Sequence, residues 1–282
     1  MLISDLEHNS VLRPIEKQRR VNGISYSVFS SIGDIEKNIE AVKTRDTKAI
    51  VSTLMSNVSG DEIPIDILSR TAKKLGLLLI TDASQLIGHK PIDLASYPCD
   101  ALCAPGHKGL FGIQGVGFIC FGGDTLPTDT FIEGGSGSES VSVKMPDMLP
   151  ERIEGGTLPT PSIISLGAGI DYINEIGLDY IENRLNELTA IFNAKLQDIG
   201  NIEIISAKNG IIAIRGRGCS NSLIEERLQR YDICTRSGLQ CAPLAHKRLG
   251  TLDSGVIRIS LSVHNTEAEA DILQKALYKN QT

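Results

Sequence analysis

Two residues invite a chemical reading first. Asp82 follows an apolar run, Leu77–Ile80, and Lys108 follows a second apolar segment, Ala101–Ala104, inside Pro105-Gly106-His107-Lys108. A lysine whose pKa is lowered by burial or by neighbouring cations is a good nucleophile for an aldehyde. A carboxylate can hold a heteroaromatic nitrogen protonated, so that the ring draws electrons from a bond attached to it. Gln85 and His107 stand beside the pair as further polar groups. A third reactive candidate is Cys241, in Arg236-Ser237-Gly238-Leu239-Gln240-Cys241-Ala242. Its polar, loop-forming neighbours favour exposure, and Arg236 favours the thiolate. Cys99, Cys103, Cys120, Cys219 and Cys234 read instead as buried, inert thiols.

The elements that must position these groups can be traced in the same sequence. Leu77–Ile80 is too short for a typical helix and is flanked by Gly76 and Thr81-Asp82, so it reads as a buried strand. Ala49–Leu54 is a second strand, and Ile67, Leu68, Ala72 and Leu75 between them have helical spacing. Asp66 is the expected N-cap of that helix and Gly76 its terminator. A strand–helix–strand unit of this kind is parallel and right-handed, and the carboxyl ends of its strands form a crevice. Met1–Ser4, Ile24–Val28, Ala101–Ala104 and Phe118–Phe121 supply further strands, and Val11–Arg20 is compatible with a short helix. Beyond Gly134-Gly135-Ser136-Gly137-Ser138 the pattern changes. Ser162 to Ile199 is helical with a break at Gly177, and Ile202–Ile205, Ile211–Arg215, Leu223–Tyr231 and Glu267–Leu277 suggest a small α+β unit.

A lysine and a carboxylate at two strand ends suit pyridoxal phosphate, and the order of motifs resembles the class V aminotransferase family, in particular its cysteine desulfurase branch. The matching motifs are Glu7-His8-Asn9, Asn57 in Ser-Asn-Val-Ser-Gly, Asp82 with Gln85, His107-Lys108, Glu154-Gly155-Gly156-Thr157, the Arg236–Ala242 loop, and Arg258 in Val256–Leu261 ahead of His264-Asn265-Thr266. The resemblance implies an α/β fold of the aspartate aminotransferase type, with a mostly parallel sheet. Residues 1–160 would form the cofactor-binding large domain, and 161–282 a bridging helix and small C-terminal domain. It implies that Lys108, Cys241 and His8 are catalytic and that Asp82, Gln85, Asn57, His107, Lys108 and Thr157 bind pyridoxal phosphate. Arg258, Asn57 and Arg236 would bind the substrate. The implied reaction converts L-cysteine to L-alanine and leaves a persulfide on Cys241, in a homodimer with shared sites and with a protein as sulfur acceptor. Selenocysteine lyase or another class V lyase or aminotransferase is the alternative activity, and a non-catalytic remnant the alternative from another class.

There are two departures from the family pattern. Pro105 stands where desulfurases often carry a Ser or Thr that helps hold the cofactor phosphate. The family also has a sizeable segment before the Glu-His motif, bearing a Gly-Thr turn and a strand of the main sheet. Here the large domain is expected to lack that segment, which would leave an unpaired sheet edge and apolar surface.

Composition narrows the classes further. The 282 residues carry a net charge of −6, which offers no basic footprint for nucleic acid and no polybasic membrane patch. No apolar run approaches a membrane span, and MLISDLEHNS lacks the features of a signal peptide. The six cysteines show no recognised metal-ligand spacing, so a reducing, cytoplasmic setting and no metal are expected. The run GHKGLFGIQGVG lacks the ending of a nucleotide phosphate loop.

Overall fold

The computed structural model describes residues 1–123 and 129–278. The first part of the chain builds one sheet. Its strands are β1 (Leu2–Ser4), β2 (Ser27–Phe29), β3 (Ala49–Thr53), β4 (Leu78–Asp82), β5 (Ala101–Pro105) and β6 (Gly117–Phe121). They lie in the order β2-β1-β3-β4-β5-β6. The first five run parallel, and β6 is antiparallel to β5. Helices α1 (Asn9–Asn22), α2 (Ile35–Val42) and α3 (Ile65–Leu75) connect the parallel strands. Such a sheet needs cover on both faces, which explains why β3 is buried at every position.

The strand–helix–strand reading holds: β3 and β4 pair in parallel, with Thr53 opposite Asp82, and Gly76 ends α3 in the left-handed conformation. Asp66 is not the N-cap. Pro64 occupies that position, and Asp66 sits in the first turn, 2.9 Å from Arg70. A carboxylate there meets the positive end of the helix and an i,i+4 cation without capping anything. The strand expected at Ile24–Val28 is displaced to Ser27–Phe29, since pairing with β1 begins at Ser27 opposite Leu2.

Two long helices follow, α4 (Thr160–Ile176) and α5 (Leu178–Gln197), separated at Gly177 as the sequence suggests. Strands β7 (Ile202–Lys208), β8 (Ile211–Gly216), β9 (Arg236–Gly238) and β10 (Val256–Ser260) form an antiparallel sheet in the order β7-β8-β10-β9. Helices α6 (Asn221–Gln229), α7 (Pro243–Leu249) and α8 (Glu267–Tyr278) complete this part. One core lies around Leu2, Phe29, Ile50, Leu54 and Leu79, and takes in Ala213, Ala242, Ala245 and Val256 from the second sheet's side. The other joins α5 and α8 to β8 and β10.

Polar groups also tie the two parts together. Asp61, after β3, receives Lys208 at 2.6 Å and a short contact from Arg248, while the Ser206 hydroxyl donates to the Ser59 carbonyl at 2.7 Å. Between β6 and α4 lies a different kind of region. Residues 129–159 contain no helix or strand, and Phe131, Val141 and Val143 are 90%, 99% and 102% exposed. No helix among the described residues is long and apolar enough to cross a membrane.

Candidate active site

The carboxyl ends of β1, β3, β4 and β5 open onto one cleft of about 650 Å³. A volume of this order holds a small cofactor with its substrate. His8, Asn57, Asp82, Gln85, His107 and Lys108 all line it, so sequence-distant motifs meet because parallel strands end at a common edge. The lining also includes Cys103, which the sequence reading placed among the buried thiols. In the sheet register Cys103 stands opposite Asp82, and it is half-buried. Cys120 and Cys234 are exposed, which corrects the expectation for both; Cys120 lies on the edge strand β6 and Cys234 in the turn before β9.

Asp82 is the last residue of β4 and is buried. Its carboxylate accepts from the Ser84 N–H at 2.9 Å, and its carbonyl accepts from Leu54 N–H at 2.9 Å. Lys108 lies in the tight turn after β5. Gly109 lets that turn press against the Ile87 carbonyl, because a Cβ there would stand 2.3 Å from its oxygen. Burial among protein atoms lowers the Lys108 pKa, Asp82 works against this, and the Arg258 charge adds to the lowering. The side chain itself remains open to the cleft. An amine in that setting loses its proton more readily than a surface lysine does.

His8 caps α1. Its Nδ1 accepts from the Ser10 N–H at 3.0 Å, so in the neutral ring the proton resides on Nε2. Burial lowers the His8 pKa, Lys108 lowers it further and Asp82 opposes both. Glu7, just before it, is fully buried at the ends of β1 and β3. Its Oε1 accepts from the Ser4 hydroxyl and from the Thr53 N–H at 2.8 Å, while Oε2 has no partner among the described residues. Burial raises the Glu7 pKa to about 8, against the hydrogen bonds from Ser4 and Thr53. The carboxyl therefore holds its proton to a higher pH than an ordinary carboxylate does. The sequence motif pointed to Glu7 only as the residue before His8. An acid three residues past a buried apolar strand was the available signal.

On the far side, Arg258 on β10 donates from Nη1 to the Asn57 carbonyl at 2.9 Å. Burial and the neighbouring Arg236 lower its pKa, and its Nε is buried without a partner among the described residues. Arg236 stands opposite it in the β9–β10 register, and neither arginine forms an ion pair among the described residues. Guanidinium groups without a counter-charge can pair with a planar carboxylate. Asn57 joins this group to the next one by donating from Nδ2 to the Gln240 carbonyl at 2.8 Å; its Oδ1 is buried and has no partner among the described residues. Cys241 is exposed, and its carbonyl accepts from the Asn9 N–H at 2.7 Å, which holds its loop against the residue after His8. Neither Cys241 nor Arg258 nor Arg236 lines the cleft itself.

Thr157 is not brought to the cleft by this chain. It lies exposed in the segment between β6 and α4, where Gly156 N–H donates to the Gly135 carbonyl at 2.7 Å and so packs the two glycine loops together. His246 has both ring nitrogens engaged, with Thr251 and with Gln240, and among the described residues no group of His, Cys, Asp and Glu is placed to hold a metal ion.

The profile of the class-V aminotransferases matches residues 1–273. The chain belongs to that family. Among curated relatives, a probable cysteine desulfurase of Streptomyces coelicolor is 30% identical, with 98% of this chain and 68% of the relative covered. One from Methanothermobacter thermautotrophicus is 29% identical, with 98% and 72% covered. The chain thus spans about 70% of the length of these class-V relatives. Of solved structures, the cysteine desulfurase of Thermococcus onnurineus superposes with a TM-score of 0.84 at 25% identity, over 99% of this chain and 72% of the other. An Escherichia coli cysteine desulfurase gives 0.87 at 20% identity, over 98% and 70%. The α/β fold of the pyridoxal-phosphate enzymes of this family, with its mostly parallel sheet, is therefore the fold of this chain.

Proposed function

We propose that this protein is a cysteine desulfurase: it takes sulfur from L-cysteine onto Cys241 and releases L-alanine. The observation that carries the reading is one continuous arrangement. Lys108 and Asp82 face a common cleft, and the Arg258–Asn57–Gln240 chain of contacts links a carboxylate receptor to the exposed Cys241. The relatives at about 30% identity carry the same activity in their names.

The residues present fit pyridoxal phosphate, the cofactor of the class-V family. The test is chemical: an amine made less basic by burial and a buried carboxylate share one cleft, and a buried Asn57 Oδ1 beside them lacks a donor. Asp82 would hold the pyridine nitrogen, Lys108 the aldehyde carbon, and Gln85, Ser84 and His107 the polar substituents, with Pro105 unable to donate. Thr157 is proposed to reach the phosphate of a partner subunit. Bound there, the cofactor supplies an electron sink for bonds at the substrate α-carbon.

Arg258, helped by Asn57 and Arg236, orients the substrate carboxylate. Lys108, its amine made less basic by burial, takes a proton from the α-carbon and returns it to the product. The Cys241 thiolate attacks the substrate sulfur. An S–S bond forms and the C–S bond breaks, with its electron pair remaining on carbon. That carbon takes up a proton through His8, and the sulfhydryl proton of the substrate leaves to solvent by the same ring. Cysteine plus thiolate thus gives alanine plus persulfide anion, with no external oxidant.

Two further readings belong to this proposal. Phe131, Val141, Val143, Ile163 and Ile164 are exposed apolar side chains, and burial between two copies of the chain is the role we assign them in a homodimer. An exposed persulfide suits delivery to an acceptor protein, in the cytoplasm. We take residues 1–160 as the cofactor-binding unit and 161–282 as the bridging helix and small unit.

Cys241→Ser is the decisive experiment. With pyridoxal phosphate and L-cysteine, the variant should retain the visible band of bound cofactor and lose persulfide and alanine by at least a hundredfold, because a serine hydroxyl is scarcely ionised and accepts sulfur poorly. Alanine production at the unmutated rate would overturn the reading. Selenide or a keto acid as product would redirect it to another class-V activity.

A further inference from the structure

The Cys241 loop has an unusual backbone. Gln240 and Cys241 have φ of +43° and +56°, two successive non-glycine residues in the left-handed region. That conformation is disfavoured for any residue with a Cβ, so something must hold it. The loop lies between β9 and α7, and the three carbonyls nearest the turn are all claimed. Leu239 accepts from Ala242 N–H at 2.9 Å, Gln240 from Asn57 and Cys241 from Asn9.

The side chains supply the rest. The Gln240 carboxamide is buried. Its Nε2 donates to the Arg236 carbonyl at 2.9 Å and to the Val256 carbonyl at 3.2 Å, spanning β9 and the start of β10. Its Oε1 lies 3.0 Å from His246 Nε2, and the other ring nitrogen of His246 lies 2.8 Å from the Thr251 hydroxyl. An amide oxygen only accepts, so His246 Nε2 carries the proton and Nδ1 accepts from Thr251. His246 and Thr251 are fully buried, and burial lowers the His246 pKa, which keeps the ring in this neutral form. Both N–H donors of the Gln240 carboxamide are thereby used, and its oxygen has a partner in His246. A buried network satisfied in this way specifies a single geometry.

We infer that Gln240 is the positioning residue for the sulfur-accepting thiol. Its carboxamide, gripped by His246 and by the carbonyls of Arg236 and Val256, fixes the left-handed turn that presents Cys241 beside Asn9. This rests on the desulfurase reading for its catalytic consequence, though not for its geometry. The nucleophile is then delivered by a built turn, and a flexible arm is not needed.

The test compares Gln240→Gly with Gln240→Ala. Glycine accepts a positive φ freely, so it preserves the backbone while removing the carboxamide. With pyridoxal phosphate and L-cysteine, both variants should form the Cys241 persulfide at least tenfold more slowly in a first turnover. The concentration of cysteine that half-saturates the spectral change should stay within twofold. In the protein without cofactor, hydrogen exchange over residues 239–251 should be at least tenfold faster in both. Gln240→Glu keeps an acceptor for His246 but sets its second oxygen against the Arg236 and Val256 carbonyls, so it should slow persulfide formation at least tenfold as well. A wild-type persulfide rate in Gln240→Gly would show that the backbone suffices and overturn the assignment. If the parent forms no persulfide at all, the desulfurase reading fails, and unchanged exchange in the variants would then sink the positioning role separately.

Discussion

The strand-end cleft and the glycine-rich segment at 129–159 both carry family motifs, and the structure treats them differently. Asp82 and Lys108 are placed by parallel β4 and β5, whose register is fixed by buried side chains on both faces. Thr157 and the two glycine loops have no such frame, and their apolar neighbours Val141 and Val143 stand in solvent. A motif on a strand end is positioned by the chain that contains it. A motif in an uncovered loop gains its position from whatever packs on it.

The sharpest way to break this contrast is at the cleft. Lys108→Ala should abolish covalent capture of pyridoxal phosphate by borohydride entirely, as read by mass spectrometry; label on Lys90 or Lys144 would show that the strand ends do not define the site. Next in size, Arg258→Ala should weaken cysteine binding by about 2 kcal/mol, roughly thirtyfold, with cofactor content unchanged. The tightness of the cysteine-induced spectral change is the measurement, and an unaltered affinity would remove Arg258 from the substrate site.

Smaller per pH unit, and specific to the buried frame, is the effect of Glu7. Its folded pKa of about 8 exceeds the ordinary 4.5. Between those values the native chain binds a proton that the unfolded chain has released, so this contribution to stability is full below about pH 4.5 and is lost as pH rises through about 8. Glu7→Gln should remove that slope. Urea unfolding of variant and parent should diverge in the variant's favour by up to roughly 1 kcal/mol per pH unit across the window, and parallel profiles would refute the buried neutral acid. Smallest on folding, and most telling for the loop, Val141→Ser with Val143→Ser should change the stability of each chain by no more than about 0.5 kcal/mol. It should still shift the sedimentation profile toward monomer, and unchanged self-association would remove this segment from the interface.

Much of the sheet was legible because its strands are short apolar runs punctuated by Gly76, Asp82 and Pro105. The polar residues at their ends were legible for the same reason, since the end of a buried strand is the one place on it where Asp82 or Asn57 can meet solvent or ligand. Helix α2 went unread because eight residues give little periodicity. Asp66 looked like a cap because the sequence shows a suitable residue type and cannot show that Pro64 already begins the helix. Gln240 and His246 carried no local signal at all. Their partners are backbone carbonyls of β9 and β10 and a threonine past α7, assembled only by the antiparallel sheet. The exposure of Cys120 was hidden for a related reason: whether a strand lies at a sheet's edge is a property of the whole sheet's order, and GFICF reads the same in either place.

Asp61 has a consequence for how this molecule comes apart. It receives Lys208 and Arg248 from the second sheet's side, while Ala213, Ala242 and Val256 from that side pack into the first core. Neither sheet can melt without stranding a half-buried carboxylate and opening the other's apolar interior. Heating should therefore give one calorimetric transition, in which near-ultraviolet and far-ultraviolet dichroism decay together. With Asp61→Ala that single event should begin to separate into two.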